Sequence, residues 1–352
     1  MSLMCSILLI LNDSLPIGGA ALAVVVPFLQ VNDPKNTSAT FAQQIMRLDP
    51  IGQLFFLPAI VCLIVAMQWG GSTYIWSDHR VIALFVVSGV LLIIFVGVQI
   101  WRQDDATLPP RVMKQRSLSL GAVFAFCLGG GLISMLYSLA IWFQAVKGTS
   151  AVQSGVDSLA TVLALVVGTI ISGTVVEKTG YYVPWMIAAG VFMSVGAGLI
   201  TTFEVHTNHA MWIGYQVLFG LGLGVGMQQP SLAAQTVLED KDVSIGVSLM
   251  FFCQSLGGAI FVASAQAIFN SFLGQGLSHI QGIDAQKIIY SGATNLAGNV
   301  PHGALDAVLS AYNTALVKSF YVPVAISALM VIPALFMEWR TIKADAGIVE
   351  VS

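Results

Sequence analysis

Charge is what this sequence has least of: Asp, Glu, Lys and Arg make up 9% of its 352 residues, whereas soluble domains carry roughly 25%. With 57% of the residues hydrophobic, water is not the main solvent of such a chain. The net charge of −3 and the lack of a basic patch interleaved with aromatics exclude a nucleic-acid partner. Nucleotide machinery is missing as well. No G-x-x-x-x-G-K-[ST] occurs, and the glycine run "LFGLGLGVGMQQPSL" (218–232) fails the dinucleotide fingerprint. The place five beyond Gly220, Gly222 or Gly224 holds Val225, Met227 or Gln229. There is no G-x-S-x-G elbow and no carboxylate pair inside an apolar run, so no catalytic residues are identified and the chain reads as no enzyme. Cys5, Cys62, Cys127 and Cys253 lie far apart, in or beside apolar runs, without a C-x-x-C pair. They read as buried thiols rather than as a disulfide or metal set. His206 and His209 have H-x-x-H spacing, but a solvated loop explains them without a metal or cofactor.

What abounds is uncharged length. Stretches long enough to cross ~30 Å of hydrocarbon fall at about 14–32, 51–68, 81–101, 118–146, 158–176, 183–203, 210–238, 243–269 and 319–337, with no Asp, Glu, Lys, Arg or His inside those limits. The fold class is therefore an all-α integral membrane bundle of about nine transmembrane helices, with the lipid bilayer as its first partner. An odd number puts the termini on opposite sides. Positive charge collects on cytoplasmic loops, and placing the N-terminus outside leaves ten Lys and Arg on inner loops and tail against four outside. The basic cluster "RVMKQRS" (111–117) then lies against the anionic inner leaflet, and the C-terminus is cytoplasmic.

Lipid gives helices no hydrophobic reason to associate, so small residues that allow close approach do that work. Gly220 with Gly224 and Gly222 with Gly226 form two overlapping G-x-x-x-G pairs, and Gly129 to Gly131 and Gly257 with Gly258 read alike. Static packing is the first reading and sliding the second. Pro230 lacks the amide proton owed to the Gly226 carbonyl, so the seventh span should bend where Gln228 and Gln229 sit. Those amides either face an aqueous cavity and read a substrate's hydrogen bonds, or bond neighbouring helices. Trp142 reads as an interfacial anchor. A cavity for apolar solutes lined with aromatic rings and a few amides is also described by Tyr137, Phe143, Gln144 and Gln254, which join Gln228 and Gln229 as candidate substrate-binding residues.

The stretch "GTVVEKTGYY" (173–182) places Gly173, Glu177, Lys178 and Gly180 in a G-x-x-x-[DE]-[KR]-x-G pattern, and this resembles the inner-loop motif of the major facilitator superfamily. "LPIGGAALAV" (15–24), "LDPIGQLFFLPAIVCLIVAMQWGG" (48–71), "IWFQAVKGTSAVQSGV" (141–156) and "GLGLGVGMQQPSLAAQ" (220–235) resemble the fourteen-span branch of fungal drug and toxin efflux proteins, described as proton-coupled antiporters. The resemblance implies secondary export of small amphipathic molecules from the plasma membrane, protons as the coupling ion, and no nucleotide. It divides the nine spans as one, two and six. Residues 1–50 then hold the last helix of the first half and a linker, 51–117 two additional central helices and the basic loop, and 118–352 a six-helix carboxyl half. The first five helices are absent, so this is expected to be the carboxyl portion of such a transporter. A non-transporting fragment and a nutrient-uptake facilitator of the same fold are the alternative readings. Within the carboxyl half, 270–318 is expected outside, with 303–321 forming an amphipathic helix that caps the exterior on its way to the last span. Of the sequons, Asn12 and Asn36, the second falls in the cytoplasm.

Overall fold

The computed structural model describes residues 49–70, 74–103, 110–278, 280 and 304–342. The candidate span at 14–32, Cys5, Asn12 and Asn36 lie outside the described residues, as does most of 279–303. Among the described residues twelve helices follow in order: α1 (Pro50–Trp69), α2 (His79–Arg102), α3 (Pro110–Met113), α4 (Arg116–Ala145), α5 (Ala151–Asp157) and α6 (Leu159–Thr179). The rest are α7 (Val183–Ile200), α8 (His209–Met227), α9 (Gln229–Val237), α10 (Asp240–Ser278), α11 (Leu305–Leu329) and α12 (Val331–Leu335). Counting α5 with α6, α8 with α9 and α11 with α12, the described residues contain eight helices long and apolar enough to span a membrane.

Local chemistry sets the boundaries. Asp49 caps α1 by accepting from the Gly52 amide, and Asp78 caps α2 by accepting from that of Arg80. Gly180 ends α6 at φ 82°, the left-handed conformation glycine adopts without strain. The expected helix over 303–321 exists, but not as a separate external cap. It opens α11, which runs without a break past the expected start of the last span at 319. With α12 the segment is 31 residues, about 46 Å at the α-helical rise, longer than the hydrocarbon core is thick. Lys318 thus stands within a spanning helix, on an exposed face with its ammonium 5.6 Å from the Tyr321 ring. A long stem on that face lets the charge snorkel outward.

α4 is the hub: it packs against α10, α11 and α9, and two thirds of its apolar window is enclosed by protein, against 17% for α2. α6, α8 and α7 pack in sequence beside it, α7 also contacts α11, and the α1–α2 hairpin joins the rest through α1 on α10. Phe56 of α1 meets Phe252 of α10 at 5.4 Å between ring centroids.

The glycines explain how close these contacts come. A Cβ added to Gly129 would stand 1.9 Å from the Gln254 carbonyl oxygen on α10, and one added to Gly257 1.9 Å from that of Phe126 on α4. The two overlapping pairs on α8 serve different neighbours. Gly220 and Gly224 lie against the backbone of α6 at Thr161 and Leu165, whereas Gly222 and Gly226 lie against α7 at Met193 and Ala189. One helix thus receives a partner on each side.

Contacts distant in sequence define two ends. At one end the backbone of Ile342 donates to Gly180, Tyr182 donates to the Glu338 carbonyl, and Arg111 of α3 meets Asp242 of α10. Lys178, Lys241 and Arg340 neighbour those residues in sequence, so this is the basic end. At the other end Lys147 donates to the carbonyls of Val205 and Thr207.

Candidate functional site

At the basic end the α8–α9 break and the end of α6 enclose a cavity of about 350 Å³. The break forms as Pro230 requires: α8 stops at Met227, Gln228 is the joint, and Pro230 takes an early position in α9, where its missing amide proton costs nothing. Two of the predicted binding residues, Gln228 and Gln229, line this cavity together with Gly173 and Glu177 of the inner-loop pattern. Ser231 and Gln235 add polar groups the sequence reading passed over, and Val176, Leu232 and Ile342 add apolar wall. The signal for Gln235 was its spacing, since positions 228, 231 and 235 recur on one face of a helical path. Gln229 is buried and donates from Nε2 to the Val225 carbonyl.

Gly180 and Lys178 lie just beyond. The carbonyl of Gly180 accepts from the Ile342 amide at 3.0 Å, which brings the chain after α12 against the turn. Tyr182 follows, fully buried, and burial lifts its phenol above the ordinary value.

The other candidates do not converge there. Gln254, half-buried on α10, comes nearest, with Nε2 3.3 Å from the Met227 sulfur at the end of α8. Tyr137 and Gln144 are half-buried along α4. Phe143 is buried at the opposite end in an aromatic cluster, 5.2 Å from the Trp142 ring and 5.0 Å from that of Trp212. Trp212 and Gln228 are sixteen residues apart on α8 and its continuation, about 24 Å along a helix.

Trp142 is no interfacial anchor. It is fully buried, its indole N–H donates to Asn313 Oδ1 at 2.8 Å, and its ring lies 4.6 Å from Phe203. Asn313 in turn donates to the Phe203 carbonyl. This knot fastens α4, the α7–α8 loop and α11 together, and a buried indole is tolerated because its one donor is satisfied. Lys147 lies 5.2 Å from the Trp142 ring, and burial lowers its pKa from the ordinary lysine value.

Two charged contacts went unread in the sequence. Asp49, fully buried, accepts from Gln99 Nε2 and Arg102 of α2, each at 2.8 Å. Asp242 accepts from both terminal nitrogens of Arg111, at 2.8 and 3.0 Å, the bidentate fork that suits a carboxylate. The Asp49-Pro50 pair before an apolar run was a helix-start signal, but its partners fifty residues on left no trace at short spacing. Between α6 and α8 lies a larger depression, about 660 Å³ and almost entirely apolar, with Asp157 and Trp212 among its lining.

Comparison with known proteins matches residues 15–262 to the family described as Major Facilitator Superfamily. The chain is 49% identical over 335 residues to the rubrofusarin-specific efflux pump aurT of Gibberella zeae, covering 94% of this chain and 61% of that protein. It is 46% identical to the MFS-type transporter VdtG of Byssochlamys spectabilis, covering 94% and 60%, and 43% identical to the efflux pump aflT of Aspergillus parasiticus, covering 94% and 65%. The chain spans about three fifths of the length of the curated relatives it matches.

Proposed function

From the premise that this chain belongs to the major facilitator superfamily, we propose that it forms part of a secondary active transporter that exports small amphipathic molecules. The observation that carries this reading is the 43–49% identity, over 94% of the chain, to proteins named as efflux pumps and transporters. In the fourteen-span arrangement the chain supplies the helices from the last of the first half onward: one, a central pair, and a carboxyl half of six. The α1–α2 hairpin, packed on itself and touching the rest through α1, supports assigning the central pair. Transporters of this kind rock one half against the other around a site near the midplane. The coupling ion is the proton, the membrane is the plasma membrane, and the basic end with the C-terminus faces the cytoplasm. The grouping of Arg111, Lys178, Lys241 and Arg340 at one end supports that orientation. Gln228, Gln229 and Gln254 read the cargo's hydrogen bonds, Tyr137, Phe143 and Gln144 belong to its apolar path, and the Glu177–Lys178 turn serves the movement of the halves.

Expression in a drug-sensitive fungal host, with membrane insertion verified, tests the reading. Lower accumulation of at least one apolar toxin is the expected result. Unchanged accumulation across a broad panel overturns export by this chain.

A further inference from the structure

Three polar side chains share one open face of α11. Thr314, Lys318 and Tyr321 are all exposed, Tyr321 at 52%, and steps of four and three residues set them one above another on a helix. Apart from the Lys318–Tyr321 ring contact at 5.6 Å, none of the three makes a hydrogen bond or ion pair among the described residues. Thr314 stands out in this. Thr169, Thr174, Thr236, Ser248 and Ser264, also on spanning helices, each donate to the carbonyl four residues back, the local way to satisfy a hydroxyl away from water.

Packing fixes the depth of this face. Ser319 donates to Ser138 of α4 at 3.2 Å, and Ser138 lies seven residues before the last residue of α4, about 10 Å along the helix. Asn313, five residues before Lys318, is already level with the α7–α8 loop, whose Phe203 carbonyl it binds. Side chains on a helix lean toward its N-terminus, which for α11 is that same end. The Lys318 stem therefore carries its ammonium toward the turn of Thr314 and the headgroup layer, about 5–7 Å thick beside the hydrocarbon. Deeper on the face, Ala325 and Ala328 are exposed and small, leaving a strip on which an acyl chain can lie. α4, α7 and α10 pack against the other sides of α11.

We propose that this face holds the phosphate of a glycerophospholipid in the leaflet opposite the basic end, with the Lys318 ammonium and the Thr314 and Tyr321 hydroxyls as donors and an acyl chain along Ala325 and Ala328. A phosphodiester brings one negative charge and several acceptors to one cation and two hydroxyls. It is also the anion that a bilayer presents at this depth, so charge complementarity and position select the same occupant.

Native mass spectrometry of the delipidated chain in detergent tests this, with dioleoylphosphatidylcholine and dioleoylphosphatidylglycerol as probes and dioleoylglycerol, which lacks the phosphate, as control. The parent is expected to hold one molecule of either phospholipid that Lys318→Met binds about tenfold more weakly, the worth of one charge-assisted contact. Dioleoylglycerol binding is expected to be the same in both. Lys318→Arg, which keeps the charge, should retain the extra lipid, and Thr314→Val combined with Tyr321→Phe should weaken it about threefold with lysine still in place. Equal phospholipid binding by the parent and Lys318→Met overturns the proposal, as does a loss in Lys318→Met that dioleoylglycerol shows equally. A second copy of the chain on this face would appear as a dimer that Lys318→Met dissociates with its lipid count unchanged, and that result overturns it too.

Discussion

Asp49 and Arg102, fifty-three residues apart, meet at 2.8 Å, with the carboxylate wholly enclosed and the guanidinium 14% exposed. Gln99 donates to the other carboxylate oxygen and the Gly52 amide to the first, so the basic end of the α1–α2 hairpin closes around one buried charge. Asp49 itself sits at φ 50°, a left-handed conformation that aspartate tolerates better than most residues.

Removing one partner of a buried pair leaves an uncompensated charge, typically about 3–5 kcal/mol. Asp49→Ala is therefore expected to lower the thermal unfolding temperature sharply in detergent. Asp49→Leu combined with Arg102→Met should recover a large part of the loss. A double variant as unstable as the single one would show that the pair is not what Asp49 supports.

At the α4–α10 crossing, alanine has nowhere to go. Gly129→Ala and Gly257→Ala each drive a methyl into a backbone carbonyl on the other helix, an overpacking expected to cost about 1–3 kcal/mol. Gly214→Ala, where nothing lies within 4 Å, is expected to leave stability unchanged or raise it slightly. The Gly129/Gly257 double variant should cost less than the two single costs combined, because both push the same pair of helices apart. Thermal unfolding of the four variants side by side checks this.

Asn313→Leu strands the buried indole N–H of Trp142. The expected penalty is about 1–3 kcal/mol. Trp142→Phe in the Asn313→Leu background removes the stranded donor, so its further cost should be smaller than that of Trp142→Phe alone. A double-mutant cycle on unfolding temperatures reads the coupling.

Burial lowers the pKa of Lys147, so above the folded value and below the ordinary lysine value the unfolded chain holds more protons there than the folded one. Stability contributed at this site is therefore expected to rise with pH through that window and to level off near pH ~10.5. Comparing unfolding temperatures of the parent and Lys147→Met from pH 8 upward isolates the effect. A parent-minus-variant difference that falls as pH rises contradicts the sign.

Orientation has a direct check. With native cysteines replaced, Lys114→Cys is expected to react with an impermeant thiol reagent only after the cells are opened, whereas His206→Cys reacts in intact cells. Both positions are exposed. The reverse pattern inverts the proposed sidedness.

Several features were legible before any coordinates. The runs of uncharged residues marked eight described helices to within a few positions for most of them, Pro230 placed the break at Gln228, and the charge tally gathered the basic residues whose structural neighbours meet at one end. These depend on chain-local physics: a hydrocarbon thickness, a missing amide proton, a hydrated cation. Which face of each helix turns inward was not legible. Lipid and protein interior are both apolar, so burial leaves little periodic mark on a spanning helix. Only the packed chain decided that Gly220 and Gly224 meet α6 while Gly222 and Gly226 meet α7, and that Trp142 bonds Asn313 instead of sitting at the membrane boundary. The same holds for Gln228 and Gln229, which share a cavity with Glu177 while Phe143 packs on Trp212, about 24 Å along the helical path from Gln228. Each of these joins residues tens to hundreds of positions apart, where proximity is set by the crossing of helices and not by any spacing along the chain.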